Sequence, residues 1–392
     1  MQRSPSAFIL SLYGFIALAI AMGIGRFAFT PLLPMMQSDA GLDLAEGGWL
    51  ASANYLGYLA GALTAAALPF TAANLLRLGL LLVVATTALM GLTDNWAGWL
   101  AWRFIAGVAS AWVLVGTATL CLGRLAALNQ PRRASLVFAG VGVGIALAGL
   151  LCMALSMADV SSGNTWLVLG LLALVGTLAV RQLWHESAAP AASKATPDAD
   201  TGTGQWRLVL CYGIFGFGYI LPATFLPAQA RELIEDPAVF GLAWPAFGIA
   251  AAASVFLSNA LVARSSRRKV WAGSQVVMAI GVLLPVLWLN IYAIILAALC
   301  VGATLMMITM LGMQEAQAVG GAGARKLIGA LTAAFAAGQL VGPLFFSLTH
   351  LWFGATLDVA LVLASVGLIL ATVLLMWPEI RSWQARSAAR SR

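Results

Sequence analysis

Residues 185–205, HESAAPAASKATPDADTGTGQ, form the only long polar segment in a chain of 392 residues that is 61% hydrophobic and only 9% charged. Rich in Ala, Pro, Gly, Ser and Thr, the stretch reads as a flexible linker. It leaves 184 residues before it and 187 after it. An ordinary soluble domain carries roughly 25% charged residues, and no soluble interior could hide this much apolar surface. A bilayer core about 30 Å thick needs roughly 20 apolar residues per helix. Windows such as 134–158, 237–263 and 359–378 contain no Lys, Arg, Asp or Glu. Counting outward from the linker gives six spans on each side: 7–36, 47–66, 74–92, 96–124, 134–157 and 165–184, then 206–229, 241–262, 270–289, 291–316, 326–350 and 355–377. The expected fold is therefore an all-α polytopic membrane protein with twelve transmembrane helices. Its units are a six-helix bundle at 1–184, a cytoplasmic linker at 185–205 and a second six-helix bundle at 206–392.

Lys and Arg close to span ends are retained on the cytoplasmic side. With the N-terminus inside, only Arg231 of the 21 Lys and Arg falls outside, while Arg26 and Arg103 fall within spans; the other 18 are cytoplasmic. Both termini are thus expected inside. The net charge of +7 is a topology signal that favours anionic lipid over nucleic acid as the neighbour of the basic loops. Tryptophans such as Trp49, Trp96, Trp99, Trp288, Trp352 and Trp377 fall near span ends, where amphipathic rings sit at the membrane interface. The four cysteines, Cys121, Cys152, Cys211 and Cys300, lie inside spans without CxxC spacing, so neither disulfides nor a metal site is expected.

Equal halves invite a search for a repeat. Gly23, Gly25, Leu33 and Pro34 recur 193 positions later as Gly216, Gly218, Leu226 and Pro227. Parallel repeats place a binding site between the halves, near the bilayer midplane. The run Met22-Gly-Ile-Gly-Arg-Phe-Ala-Phe-Thr-Pro-Leu-Leu-Pro-Met-Met36 resembles the first-helix signature of the YbfB/YjiJ-type branch of the major facilitator superfamily, and the twelve-span layout matches throughout. Arg103-Phe-Ile-Ala-Gly107 is similar to the superfamily's helix-4 arginine motif. The loop bearing Arg264, Arg267, Arg268 and Lys269 looks like a reduced copy of its basic loop. The loop at 68–76 departs from the pattern: the expected Asp and basic run are missing, with only Arg77 left, so the usual cytoplasmic charge latch of the first half is not supplied there. The resemblance implies two pseudo-symmetric bundles and a monomeric secondary carrier of the bacterial inner membrane that needs no cofactor.

An ionised side chain within a span costs at least about 2.5–3.5 kcal/mol and normally faces a cavity or a partner. Arg26 and Arg103 are expected at nearly one depth, roughly 10–12 Å below the outer surface at about 1.5 Å per residue, with no Asp or Glu at that level. A guanidinium fork suits a carboxylate or phosphate. Arg26 is expected to contact substrate; Arg103 either does so or ties the fourth span to the Gly-loosened backbone of the first. Thr30, one turn from Arg26, together with Asn54, Tyr58, Tyr219 and Gln339, completes the candidate binding set, the alternative for each being an interhelical hydrogen bond. Both charges precede the linker, so that half is expected to hold the charged end of the substrate and the other to supply shape. Gly140 and Gly144, and Gly338 and Gly342, repeat at a four-residue spacing that lets backbones approach closely and suits helices that rock. Glu315, near Arg325 and Lys326 in sequence, is either an inner-gate latch with them or a solvated charge.

These features point to a carrier of a small anionic or zwitterionic solute. The carboxylates Glu46, Asp94 and Glu315 all lie at span ends. Proton symport through one of them, coupling through a protonatable substrate, and uniport therefore all stay open. The chain has no Walker-type loop to bind ATP. A membrane-embedded enzyme would need more than His185 and His350 to build a nucleophile and base pair. A non-transporting sensor or scaffold would normally carry a sizeable soluble domain.

Overall fold

The structure, a computed structural model, describes residues 6–185, 204–233, 237–288, 290–354 and 356–390. The predicted linker falls almost wholly outside the described residues. Among them the chain is helical and contains no strand. The long helices are α1 (Ala7–Asp39), α2 (Leu44–Ala67), α3 (Ala72–Leu92), α4 (Trp96–Ala127), α5 (Ala134–Met157), α6 (Ser162–Ala179), α7 (Gln205–Leu233), α8 (Pro237–Val262), α9 (Arg267–Leu287), α10 (Ile291–Gly320), α11 (Ala324–Phe353) and α12 (Leu357–Arg390). Helices α9 and α10 are separate, as the spans expected at 270–289 and 291–316 require. The sixth span starts earlier than expected and ends in a short 3-10 turn, Arg181–His185.

Helices dominate because a chain in hydrocarbon must satisfy its backbone polar groups internally. Their starts are set by side chains that cap the free N–H groups of the first turn. Thr71 accepts from the Asn74 N–H, Asn95 from that of Gly98, Ser266 from that of Lys269 and Asn290 from that of Ala293. Asp43 and Glu46 form a reciprocal capping box at α2. Among the described residues ten segments are long and apolar enough to cross a membrane. One of them, Ile291–Phe346, contains α10 and most of α11. Helix α2 is not among the ten; Asn54, Tyr55 and Tyr58 dilute its hydropathy, and these are the side chains it turns inward.

Small residues bring the helices together. Gly57 and Gly61 of α2 meet the Phe104 and Val108 backbone of α4, and Gly140 and Gly144 of α5 meet Phe15 and Ala19 of α1. Two of these close glycine contacts join helices from opposite sides of the linker. In one, Gly142 of α5 lies against Gly248 and Ala252 of α8, so closely that a β-carbon there would come within 2.4 Å of the Ala252 nitrogen. In the other, Gly329 of α11 lies against Ala62 and Ala66 of α2. The outward faces stay apolar, with Leu171, Leu296 and Leu363 exposed, as lipid contact requires.

Candidate functional site

The site begins with a fault in α1. Between Ala19 and Phe27 the helix widens into a π-helix, in which bonds run to the fifth rather than the fourth residue. Pro31 has no N–H to offer the Phe27 carbonyl, so the ordinary ladder fails at that point. The carbonyls on this stretch find donors on α4 instead. The Ser110 hydroxyl donates to the Ala21 carbonyl at 2.9 Å. Arg103 donates from Nη1 to the Gly25 carbonyl and from Nη2 to the Arg26 carbonyl, each at 3.2 Å. The Arg103 guanidinium also lies 4.7 Å from the centre of the Phe29 ring. Arg103 is thus bound to the backbone of α1, and it is not among the residues that line the central cavity.

Arg26, carried on the widened turn, is only 3% exposed and does line that cavity. Its Nη2 donates to the Gln339 side-chain oxygen of α11, across the two sides of the linker. Its Cζ stands 3.8 Å from the centre of the Tyr58 ring, a cation–π contact, with Tyr55 and Phe27 at 5.6 and 5.5 Å. Nε and Nη1 of Arg26 are buried without a hydrogen-bond partner. Among the described residues no Asp or Glu lines the cavity.

The cavity is small in this conformation, about 20 Å³, room for about one water. Met22, Arg26 and Phe27 of α1, Tyr58 of α2 and Leu114 of α4 face Tyr212 of α7, Leu305, Met306, Thr309 and Met313 of α10, and Thr332 and Phe335 of α11. Behind this second wall the rings of Tyr212, Phe215, Tyr219 and Phe335 interlock, with centroids 4.9 Å apart for Phe215 and Phe335 and 6.0 Å apart for the stacked Tyr219 and Phe335. Phe27 meets Trp244 of α8 at 6.2 Å, and Trp244 stacks on Phe247 at 5.4 Å.

The remaining candidates fall in different places. Tyr58 and Gln339 touch Arg26 directly. Tyr219 belongs to the ring cluster. Asn54 is fully buried and its amide donates to the Arg103 carbonyl at 3.0 Å, which joins α2 to α4. Thr30 is exposed; the face that an α-helix would share between residues 26 and 30 is broken by the π turn. Gly338 and Gly342 pack against Gly213 and Ile220 of α7. Glu315 is buried, and its partners are Arg267 Nε at 3.2 Å and Arg268 Nε at 2.7 Å, not Arg325 or Lys326. The start of α9 crosses the end of α10, which loop distance along the sequence does not reveal. Arg325 instead donates to the Phe70 carbonyl, and at 3.5 Å to that of Leu68, in the loop between α2 and α3. Nearby, the Asn259 amide of α8 donates to the Arg132 carbonyl at 3.0 Å and to the Ser135 hydroxyl at 2.8 Å. Each of these polar links ties a helix after the linker to a segment before it.

Sequence reasoning missed Tyr55, Tyr212, Phe335 and Trp244 as site residues, and it gave Arg325 a different partner. Two of the patterns were readable. Tyr212, Phe215 and Tyr219 recur on one face of α7, and Thr332, Phe335 and Gln339 on one face of α11.

Solved structures of membrane transporters share this all-helical fold. The human organic anion transporter MFSD10 superposes with a TM-score of 0.76 at 14% identity, over 95% of this chain and 100% of that one. FucP, a major facilitator superfamily transporter in its outward conformation, gives 0.70 at 13% identity, over 95% and 99%. Residues 18–376 match the family described as uncharacterised MFS-type transporter YbfB, and the chain belongs to that family. Among curated relatives, the MFS-type transporter YcaD of Salmonella dublin is 29% identical over 126 residues, 29% of this chain and 30% of the relative. The matched part is under a third of that relative's length.

Proposed function

We propose that the chain is a secondary carrier that moves a small anionic or zwitterionic solute across the bacterial inner membrane by alternating access. The moving parts are the two six-helix halves, 1–184 and 206–392, with 185–205 as their cytoplasmic connection and both termini inside. The carrier works as a monomer and needs no cofactor. The observation that carries this reading is Arg26: a cation buried to 3% exposure at a chamber shared by both sides of the linker, with two of its nitrogens unpartnered. A buried charge is retained against a cost of several kcal/mol only where a partner compensates it, and a substrate anion is that partner. Human MFSD10, of like fold, is described as an organic anion transporter, which accords with the reading.

The packing supports two equivalent halves. Gly23 meets α5 and its repeat partner Gly216 meets α11, helices six apart in order. The two contacts across the linker, α5 with α8 and α2 with α11, exchange under the same six-helix shift. Among the described residues no carboxylate reaches the chamber, so coupling to protons would run through the substrate's own acid group or a carboxylate at the mouth.

The test is an uptake screen in proteoliposomes with an imposed pH gradient, using anionic, zwitterionic, cationic and neutral solutes. Uptake of anions or zwitterions is expected. Uptake confined to cations or neutral solutes would refute the proposal.

A further inference from the structure

We infer that the solute is an organic monoanion with a flat aromatic body, an aromatic monocarboxylate in chemical class; this rests on the carrier reading above and narrows it. Charge selects a monoanion. Among the described residues the cavity is lined by one cation, Arg26. The second buried guanidinium, Arg103, is spent on the Gly25 and Arg26 carbonyls and lies outside the lining. Nε and Nη1 of Arg26 are free of hydrogen-bond partners, and once Nη2 leaves Gln339 it forms with either of them a pair of parallel N–H groups that matches the two oxygens of one carboxylate. A dianion would bring a second charge with nothing to compensate it in a low-dielectric chamber. An amino acid would bring an ammonium group to a lining without Asp or Glu.

The rest of the wall selects the aromatic body. The Thr309 and Thr332 hydroxyls donate to the carbonyls of their own helices, at 2.8 Å each, which leaves few groups to recognise a sugar or another polyol. The other lining side chains include Met22, Met306, Met313, Leu114 and Leu305. Thioether sulfurs make favourable contacts with ring edges and adapt to an irregular body. Phe335 and Tyr212 open onto the cavity and are backed by Phe215 and Tyr219, so an entering ring extends an aromatic cluster already interlocked at edge-to-face and stacked angles. The charged end would therefore sit on α1 and the ring against α7 and α11. The cavity is too small for such a body in this conformation, so binding requires the Arg26–Gln339 contact to open and the carboxylate to replace Gln339 as acceptor.

The experiment is binding of radiolabelled benzoate to the purified full-length protein in detergent, by scintillation proximity, with succinate, inorganic phosphate, L-phenylalanine and benzamide as competitors. Benzoate is expected to bind and to resist competition by the other four. Arg26→Gln should weaken binding by more than about tenfold, and Phe335→Leu, which keeps an apolar side chain of similar bulk, by about two- to tenfold. Binding of succinate, phosphate or phenylalanine in preference to benzoate, with dependence on Arg26, would overturn the aromatic monoanion and leave the anionic or zwitterionic carrier standing. Equal binding of benzamide and benzoate, or benzoate binding indifferent to Arg26→Gln, would overturn both. Absence of benzoate binding to a folded protein would overturn the class assignment.

Discussion

Arg325→Ala should loosen the linker end of the molecule. Arg325, half-buried at the start of α11, gives one bond to the Phe70 carbonyl and a long one, 3.5 Å, to that of Leu68. The loop at 68–76 carries no charged residue, which leaves this bond and the Asn259 contacts as polar ties between the two sides of the linker. A hydrogen bond to a charged group contributes about 1.5–3 kcal/mol, and interhelical bonds in membranes average about 0.6 kcal/mol. Partial exposure and the weak second bond place the loss at about 1–2 kcal/mol, which changes a two-state ratio by a factor of about 5–30. A suitable reporter is Ala62→Cys in a background with the four native cysteines replaced, since Ala62 is fully buried where α2 meets Gly329 of α11. A membrane-impermeant maleimide added to inside-out vesicles should label this site at least about five times faster in the Arg325→Ala protein. Equal labelling rates in a protein that is otherwise folded would refute the latch.

Two further expectations concern the interfaces. Arg103→Gln removes two bonds to the carbonyls of the widened turn and the contact with Phe29; it should lower the melting temperature in detergent and reduce uptake by displacing Arg26, and an unchanged melting temperature would show that the tie contributes nothing. Gly248→Val places a side chain where a β-carbon already comes within 2.5 Å of the Ala146 nitrogen; the protein should still insert, since α8 stays apolar, but uptake should be lost because α5 and α8 are held apart, and wild-type uptake would contradict close sliding at that contact.

The helices were legible because span length and charge exclusion act along one dimension, and a window without Lys, Arg, Asp or Glu needs no tertiary knowledge. Arg26 was legible for the same reason: a lone charge in such a window demands an account. Arg103 was left between two roles, and only the position of the Gly25 and Arg26 carbonyls separates them. The π turn has no sequence rule strong enough to announce it, and it moved Thr30 to the surface. Glu315 was matched with its neighbours along the chain, whereas its partners arrive on a different helix. The aromatic wall was present as a periodic pattern on α7 and α11, but many apolar faces in such a chain repeat the same way, and nothing local distinguishes the one that lines a chamber.

The central claim is that the guanidinium of Arg26, whose Nε and Nη1 have no hydrogen-bond partner, holds the solute's negative charge. The direct measurement is proteoliposome uptake of the transported anion by wild-type protein, Arg26→Lys and Arg26→Gln, each reconstituted at matched amounts. The account predicts loss of uptake in Arg26→Gln and partial retention in Arg26→Lys, which keeps the charge but not the fork. Uptake by Arg26→Gln at the wild-type rate would contradict it.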